Sequence, residues 1–497
     1  MAVEKDYLSE LFKVRGFDIP TNAQPMIGTG LVPVSSNETQ VPGDERFMSS
    51  LAALLYNVEP IKDDAGQVRF DKGEVMNAIS RIDDLIEAQM NEILHNEKFQ
   101  KMEATWRGLE DLVNNTNFQA DITIDILDVE KQELAEDFEK NSSNIFSSAL
   151  FDKIYIKEYD QFGGRPYGVM LGLYEFSALR GDMTWLERMA KVANAAHCPF
   201  IGAASYKFFD CDSVEQLESL KNLDGVLSHP RYSKWNELRD REEAAYIGLT
   251  LPRYVVRLPW DPDRNPCDVL NFKEDAQGDS KKYLWGNAAF LMARNLVKAF
   301  EQSGWCQSIR GPKGGGLVTG LPVDTFTLRG QKMIQAPVEI AIPDYREYEF
   351  ARNGFMPLVY RKSSSEATFF STQSIKRARK FKDPKDSENA QLVTNMAYTF
   401  SITRLAHYIK SIMRDNIGST ADAGYVQRQI DAWLSGYVTT VVNPDDLTLR
   451  RFPFKATNIA VEARPGEIGW YDCKVAVLPH IQFEGLNVEL MLESRLG

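Results

Sequence analysis

The chain has 497 residues, a length that allows two or three domains of ordinary size. Hydrophobic residues make up 43% of it and charged residues 26%, which is typical of a soluble globular protein with a large core. The formal net charge of −13 argues against nonspecific nucleic-acid binding as the main role.

Targeting signals are not evident in the sequence. It contains no run of about 18 apolar residues, so no membrane-spanning helix is predicted. The first residues lack the apolar core of a signal peptide, and we therefore expect a cytoplasmic location. The five cysteines are scattered without C-x-x-C pairing, which favours a reducing compartment and argues against a structural zinc site.

The N-terminal segment combines a short amphipathic helix with a linker. Leu8, Leu11 and Phe12 recur at helical spacing, and Gly16 is placed to end the helix. About thirty residues rich in Pro, Gly, Asn and Ser follow. Two interpretations remain open: the helix packs on its own domain, or it is presented to a partner.

Two long helices and an acidic run come next. Apolar positions from Val75 to Ile93 and from Phe99 to Val113 recur with the period of a helix. Residues 121–140 then hold eight acidic side chains against two lysines. Because this run lacks the glycine and the terminal glutamate of a calcium-binding loop, we interpret it as a solvated surface that passes from a strand to a helix.

Strand-like and helix-like segments alternate through the middle of the chain, which predicts a mixed α/β architecture. The predicted strands are 169–174, 200–204, 254–258, 337–342, 357–361 and 367–371. The predicted helices are 185–196 and 283–302.

A glycine cluster follows the second of these helices, which ends at Gly304. A short strand at Trp305–Cys306 is predicted to lead into it, and the cluster consists of Gly311, Gly314, Gly315 and Gly316. A phosphate-binding loop needs Lys-Ser/Thr directly before a helix, but here Lys313 precedes the glycines and an extended segment follows. A nucleotide-binding enzyme that uses Gly311–Gly316 is thus a disfavoured alternative to a tight structural loop.

A basic segment lies at residues 375–385, with six basic side chains and one acid. Two interpretations remain open. The segment is an exposed linker, or it contacts an acidic partner surface, where it would act on encounter and register more than on affinity.

The last part of the chain is predicted to contain two helices and three strands. The helices are 388–414 and 422–437, and the strands are centred on Ile459–Val461, Tyr471–Val477 and Leu486–Leu492. A strand so close to the C-terminus can pair within its own sheet or be lent to a neighbouring subunit.

Catalytic and metal-binding patterns are missing from the sequence. None of the five histidines stands in a metal-ligand spacing, and no nucleophile motif surrounds a serine or cysteine. His197 and Cys198 are sequence neighbours, which rarely aim at one reacting atom. His407 lies on an apolar helix and is interpreted as a hydrogen-bonded core residue. We therefore expect no enzyme activity and no catalytic, cofactor or metal site.

Several blocks of the sequence carry a resemblance to a known family. They are EILHNEKFQKMEATWRGLEDLV (92–113), RPYGVMLGLYEF (165–176), AAHCPFIGAAS (195–205), KWNELRDREEAAYIGLTLPRYVVRLP (234–259), the glycine-rich stretch 285–322, RLAHYIKSIMRDNIG (404–418) and GWYDCKVAVLPHIQFEGLNVEL (469–490). In this order they resemble the large sheath subunit of the bacterial type VI secretion system, the TssC or VipB type, over most of residues 80–497.

The resemblance implies a fold and a domain organisation. The fold is a phage-tail-sheath-like subunit, with mixed sheets flanked by helices and with strands exchanged between subunits. The domains are a variable N-terminal arm at 1–73, a large sheath domain at 74–380 and a C-terminal sheath domain at 381–497.

The resemblance also implies partners and a mechanical role. The large subunit pairs with a small sheath subunit of the TssB or VipA type, and the heterodimers polymerise as a six-start helical tube around an inner tube of the Hcp type. Assembly starts on a baseplate, and contraction drives the inner tube and effectors through a target membrane. In many systems a AAA+ unfoldase of the ClpV type disassembles the contracted sheath. A related phage-tail-like contractile particle is the alternative.

Three groups of residues are candidates for these roles. The candidates for strand exchange are Val488, Leu490 and Leu492. The candidates for the unfoldase-recognition helix are Leu8, Leu11 and Phe12. The candidates for polar contacts that break and reform during contraction are Lys376, Arg377, Arg379 and Lys380.

Overall fold

The structure is a computed structural model, and it describes most of the chain. The described residues are 58, 60–62, 68–268, 270–276, 279–328, 330–417, 422–439, 441, 444–463 and 471–480. The predicted helix with Leu8, Leu11 and Phe12 lies outside them, and so does the predicted strand with Val488, Leu490 and Leu492.

The α-helices of the described chain range from three to 23 residues in length. They are α1 (Lys72–Leu94), α2 (Glu97–Asn114), α3 (Lys131–Lys140), α4 (Ala149–Phe151), α5 (Arg180–Ala195), α6 (Val214–Ser219), α7 (Leu223–Leu227), α8 (Ser233–Arg239), α9 (Ala289–Ser303), α10 (Asp344–Arg352), α11 (Pro384–Thr394), α12 (Met396–Asp415), α13 (Ala423–Ser435) and α14 (Asp446–Arg451). A π-helical segment, Asp152–Tyr159, follows α4 directly. Across the described residues, no helix is long and apolar enough to cross a membrane.

The strands range from two to ten residues in length. They are β1 (Pro60–Lys62), β2 (Val68–Phe70), β3 (Met170–Phe176), β4 (Phe200–Ala204), β5 (Ile247–Leu251), β6 (Tyr254–Val255), β7 (Trp285–Gly286), β8 (Leu317–Val318), β9 (Asp324–Leu328), β10 (Gln331–Gln335), β11 (Met356–Tyr360), β12 (Ala367–Phe369), β13 (Phe454–Ala463) and β14 (Tyr471–Pro479).

A six-stranded sheet in the order β3-β4-β5-β11-β12-β8 forms the centre of the larger compact unit. Its first four strands are parallel, and β12 and β8 continue it in antiparallel pairing. The middle strands are buried on both faces, since every residue of β5 is buried. This is the pattern of a parallel strand covered by helices on both sides, and it confirms the predicted mixed α/β class.

Two hydrophobic cores fill the two faces of this sheet. On one face α5 packs through Trp185, Leu186 and Met189 against Phe200 of β4. On the other face α9 and the first turn of α12 pack against the neighbouring Ile201 and the strands β11 and β12. Successive residues of β4 therefore serve opposite cores, as the alternation of a strand requires.

A smaller compact unit contains α1 and the loop Pro259–Lys282. Asp71 caps α1, because its carboxylate accepts hydrogen bonds from the amides of Gly73 (2.6 Å) and Glu74 (3.3 Å). The last turn of α1 then meets the loop, where the amide of Asp275 donates to Asn91 Oδ1 over 2.8 Å. The division of the chain at 73/74 and 380/381 stays a prediction.

Several predicted elements are confirmed with small shifts at their ends. These are the helices at 75–93, 99–113, 185–196 and 422–437 and the strands at 169–174, 200–204, 357–361, 367–371, 459–461 and 471–477. The acidic run 121–140 is confirmed in its helical half, which is α3, but residues 121–130 form no strand.

Other predicted elements are wrong, and each error has a local reason. The helix predicted at 283–302 begins only at Ala289, because Trp285–Gly286 pairs as a short strand with Tyr254–Val255. That pairing also limits the predicted strand 254–258 to two residues. The predicted strand 337–342 reduces to a single bridge between Val338 and Tyr254.

The long helix predicted at 388–414 is two helices divided at Asn395. The side chain of Asn395 accepts a hydrogen bond from the Ala397 amide at 3.0 Å, which starts α12 afresh. The amide of Met396 also bonds the carbonyl of Thr372 at 2.8 Å, so the backbone at this point belongs to a tertiary contact and not to a continuous helix.

Candidate functional site

The glycine loop closes on itself and on the central sheet. The Gly311 amide donates to the Phe369 carbonyl at 2.7 Å, and the Phe369 amide donates to the Gly316 carbonyl at 3.1 Å. The Gly316 amide in turn donates to the Gly311 carbonyl at 2.8 Å. Because β8 follows the loop at once, the loop does not lead into a helix as a phosphate-binding loop does.

The glycines allow neighbouring backbone segments to approach closely. A Cβ atom at Gly315, where φ is +94°, would lie 2.1 Å from the Ser308 carbonyl oxygen. A Cβ at Gly316 would lie 2.6 Å from the carbonyl oxygen of Phe369. The cluster is therefore a tight structural loop, the interpretation that the sequence favoured.

Arg450 of α14 ties this loop to the C-terminal part of the chain. Its guanidinium donates to Gln302 Oε1 at 2.6 Å and to the carbonyl of Lys313 at 2.7 Å. Sequence analysis did not single out Arg450, because nothing in its local sequence indicates a partner 137 residues away.

Trp305 forms the centre of the C-terminal core. Its side chain is 2% exposed and meets the rings of Tyr437 and Phe454 edge-on, at centroid distances of 5.1 and 5.3 Å. The inner residues of α13, with Ile430 and Leu434 fully buried, complete this core. The strand predicted at Trp305–Cys306 is wrong, since these residues form a loop that follows α9.

The strands β13 and β14 form a two-stranded hairpin that packs on α13. Exposure alternates along β14, so that Tyr471, Cys473, Val475 and Val477 face inward and the residues between them face outward. Within the described residues the sheet has only these two strands, so one edge of β14 has no adjacent strand. An edge of this kind accepts an additional strand through backbone hydrogen bonds.

The basic segment packs against acidic residues that follow α8 in the same chain. Lys376, whose side chain is 7% exposed, pairs with Glu242. Arg377 lies 3.5 Å from the carboxylate of Asp240, and Arg379 donates to the Asp240 carbonyl at 3.1 Å. The acidic residues in the sequence DREE at 240–243 are the feature from which this contact could have been predicted.

The buried guanidinium of Arg239 holds the backbone at the beginning of the basic segment. Arg239 is 4% exposed and donates to the carbonyls of Ile375 and Arg352, each at 2.9 Å. Burial, together with the positive charge of Arg377, lowers the pKa of Arg239 to about 10. Lys376, Arg377 and Arg379 thus have partners in their own chain, whereas the exposed Lys380 makes no ion pair in the described part of the chain.

His197 and Cys198 are adjacent in the sequence, but their side chains lie in different environments. Nδ1 of His197 lies 3.1 Å from the Tyr246 hydroxyl, and burial together with the charge of Lys410 lowers the pKa of His197. Cys198 is fully buried, and burial raises the pKa of its thiol. A protonated, buried thiol is a poor nucleophile.

His407 is a hydrogen-bonded core residue, as predicted. Its Nε2 atom lies 3.3 Å from the carbonyl oxygen of Ala196, and its ring packs on Tyr159 at a centroid distance of 5.2 Å. Burial lowers the pKa of His407 to about 4, so the ring is neutral at pH 7. The Lys410 ammonium also lies 3.8 Å from the centroid of the Tyr159 ring and 2.7 Å from the carboxylate of Asp160.

Comparison with known families accounts for nearly the whole described chain. Residues 76–376 match EvpB/VC_A0108, tail sheath N-terminal domain, and residues 385–496 match EvpB/VC_A0108, tail sheath gpW/gp25-like domain. The chain is also 39% identical over 426 residues to the type VI secretion system sheath protein TssC1 of Pseudomonas aeruginosa. That alignment covers 85% of this chain and 86% of the relative.

These matches define a tail sheath protein, whose role is structural. The chain belongs to the EvpB/VC_A0108 tail sheath family. The resemblance inferred from the sequence blocks is confirmed.

Solved structures of the anti-feeding prophage are similar at a lower level. Its six-fold symmetrised baseplate matches with a TM-score of 0.34 and 11% identity, over 63% of this chain and 66% of that chain. Its helical sheath in the contracted state matches with a TM-score of 0.30 and 11% identity, over 62% of this chain and 67% of that chain. This chain thus spans slightly less than two thirds of the first of these proteins.

Trp305→Ala is expected to lower the free energy of unfolding by about 3–5 kcal/mol, because it leaves a cavity between α13 and the hairpin. Amide hydrogen exchange in β13 and β14 should then accelerate more than exchange in β4 and β5, measured by mass spectrometry. Trp106→Ala, at a position 62% exposed, is the matched control. Unchanged exchange in the hairpin would show that Trp305 does not anchor it.

Acidification is expected to destabilise the fold through His407. The pKa of His407 is about 4 in the folded protein and about 6.5 in an unfolded chain. The neutral ring therefore stabilises the fold fully above pH 6.5. This stabilisation, up to about 3 kcal/mol, is lost as the pH falls from 6.5 towards 4. His407→Gln should weaken this dependence in urea unfolding measured at several pH values. Equal pH dependence in His407→Gln and in the exposed control His229→Gln would contradict the assignment.

Proposed function

We propose that this chain is the large subunit of a type VI secretion sheath. It forms a heterodimer with a small sheath subunit, and the heterodimers polymerise as a helical tube around an inner tube in the cytoplasm. Contraction of this tube drives the inner tube and effectors through a target membrane, and no catalysis by this chain is required. The observation that carries the proposal is the 39% identity to a type VI sheath protein over 85% of the chain.

Strand exchange at the C-terminus is the proposed link between subunits. Among the residues that the structure describes, the hairpin β13–β14 has an edge without an adjacent strand. Val488, Leu490 and Leu492 follow the hairpin in the sequence with the alternation of a strand. Backbone hydrogen bonds would supply affinity, and the alternating side chains would fix register. Trp305 then transmits tension from the exchanged strands to the central sheet, since its ring packs directly on Phe454 at the start of β13.

During contraction, polar contacts between subunits must change while the exchanged strands keep the subunits linked. Rigid-body rotation of subunits repacks polar contacts at their interfaces and leaves the subunits intact. We assign such contacts to Arg377, Arg379 and Lys380, which are exposed, and keep Lys376 as a weaker candidate because it is buried against Glu242. The proposed acidic counterpart is on the small subunit, a neighbouring large subunit or the inner tube.

Further partners complete the proposal. Assembly begins on a baseplate, and a AAA+ unfoldase that recycles the contracted sheath would bind the helix with Leu8, Leu11 and Phe12. Nucleic acid and direct membrane insertion have no part in it.

Disruption of the final strand is expected to abolish tubes without abolishing the heterodimer. Val488→Asp with Leu490→Asp places two charges on the side of the strand that fixes register. The pair of subunits should still copurify, but electron micrographs of the coexpressed proteins should show no tubes. Glu489→Lys, on the opposite side of the same strand, is the control. Normal tubes formed by the double variant would exclude strand exchange through these residues.

Charge reversal in the basic segment is expected to impair assembly. Arg377→Glu removes the ion pair with Asp240 inside the chain as well as any between chains, so its effect alone is ambiguous. Adding Asp240→Arg restores this pairing inside the chain, and Glu242 stays native because it also pairs with the buried Lys376. If assembly, measured as sedimentable tubes, remains defective in the double variant and in Lys380→Glu, the contacts act between subunits. Full recovery in the double variant, with Lys380→Glu fully active, would restrict Arg377 to a role in folding.

A further inference from the structure

The helix α1 carries a heptad repeat of branched apolar residues. They occupy the a and d positions of a coiled-coil seam, and they are Val75, Ile79, Ile82, Ile86 and Ile93. Isoleucine holds every a position of the repeat, at 79, 86 and 93, and a glutamine holds the remaining d position, 89. At 1.5 Å per residue, the seam runs for roughly 27 Å along the helix.

The isoleucines of this seam are exposed. All four are between 37% and 45% exposed, and Met76 and Leu85, which flank the seam, are 56% and 57% exposed. Large apolar side chains in a continuous stripe normally mark a surface that binds another element. A repeat with a period of 3.5 residues fits a second helix, because the side chains of a helix insert between those of the seam at the matching spacing.

The contacts of α1 within its own compact unit use another side of the helix. Leu94, the buried residue of α1, lies about 100° around the helix from Ile93, since successive residues turn by that angle. Asn91 accepts a hydrogen bond from the Asp275 amide over 2.8 Å. The described residues of this unit therefore hold the C-terminal end of α1 and leave the isoleucines of the seam exposed.

Acidic residues border the seam on both sides. Asp83 holds an e position and Glu92 holds a g position, so both flank the place where a second helix would pack. The whole of α1 contains five acidic and two basic residues. Charges at the e and g positions set the choice of partner in coiled coils, so these acids favour a helix that carries Lys or Arg at its own e and g positions.

A second copy of α1 is a poor occupant for the seam. In the antiparallel arrangement that aligns all a and d positions, each Ile82 meets the Ile86 of the other copy, but the two Asp83 carboxylates then lie side by side. Either orientation also brings together two helices with the same excess of acids. An anionic membrane surface is disfavoured too, because helices that lie on such a surface carry Lys and Arg beside their apolar side.

We propose that α1 docks an amphipathic helix of a partner protein, which has Ile, Leu or Val at its a and d positions and Lys or Arg at its e and g positions. The two helices form a coiled coil over about three heptads. The proposal is independent of the function proposed above, since it defines the chemistry of the docked helix and not the chain that carries it.

Binding of two designed peptides to the full-length chain tests the proposal. Both peptides are about three heptads long with Ile at a and Leu at d, but one has Lys and the other has Glu at every e and g position, so that neither pairs with itself. The Lys peptide should bind about tenfold more tightly than the Glu peptide, measured by fluorescence anisotropy at low salt. Asp83→Lys with Glu92→Lys should reverse this preference.

Substitutions in the seam test the apolar part of the contact. Ile82→Asp with Ile86→Asp should weaken binding of the Lys peptide by about tenfold or more, because two charges then enter the apolar seam. Asn77→Asp with Ala88→Asp adds the same charge on the opposite side of α1, and it should change the affinity by less than about twofold. All four positions are exposed, so both variants are expected to fold, and their thermal unfolding should match that of the wild type.

Four results would overturn the proposal. Equal binding of the Lys and Glu peptides would show that charge does not select the docked helix, and binding of neither peptide would exclude a helix of this chemistry. A dimer of the full-length chain that Ile82→Asp with Ile86→Asp dissociates would assign the seam to a second copy. Binding to phosphatidylglycerol vesicles that is lost in the same variant would assign the seam to a membrane surface.

Discussion

The packing of Trp305 between Tyr437 and Phe454 is the contact on which the C-terminal part of the structure depends. The hairpin β13–β14 buries only one side, and a two-stranded hairpin is at best marginally stable without a surface to pack on. That surface comes from α13 and from one indole, which belongs to the loop after α9. The central sheet and the hairpin are therefore joined by side-chain packing across the loop and by Arg450, more than by shared strands.

One structural constraint explains both why this loop is rich in glycine and why its amides do not cradle a phosphate. Its loop lies where three backbone segments meet within hydrogen-bonding distance, around Gly311, Gly316 and Phe369. A side chain at Gly314, Gly315 or Gly316 would collide with a backbone carbonyl group. The amides of Gly311 and Gly316 donate hydrogen bonds inside the protein and do not face a ligand. The loop also places Trp305 and Lys313 where the C-terminal elements reach them.

Sequence reasoning predicted the elements whose signals are local. Helical periodicity was sufficient for α1, α2 and α13, and alternation was sufficient for β13 and β14. Sequence reasoning failed where contacts with distant residues decide the conformation. The strand β5 was missed because a strand that is buried on both faces shows no alternation of polar and apolar residues. The break at Asn395 was missed because it depends on a hydrogen bond to Thr372. The basic segment was recognised, but its partners at Asp240 and Glu242 lie more than 130 residues earlier, and only the fold brings them together.

The pairing of the basic segment within its own chain has a consequence for the energetics of assembly. A neighbour that contacts Arg377 or Arg379 does not meet a bare charge, because Asp240 and Glu242 already compete for it. The net gain of such a contact is the difference between two similar ion pairs, which is small for exposed groups. In the sheath proposed above, contacts between subunits that are built this way would exchange partners at nearly constant energy, so a subunit would rotate through intermediate positions without a high barrier. Free subunits would also gain little electrostatic energy from aggregation before the proposed strand exchange joins them.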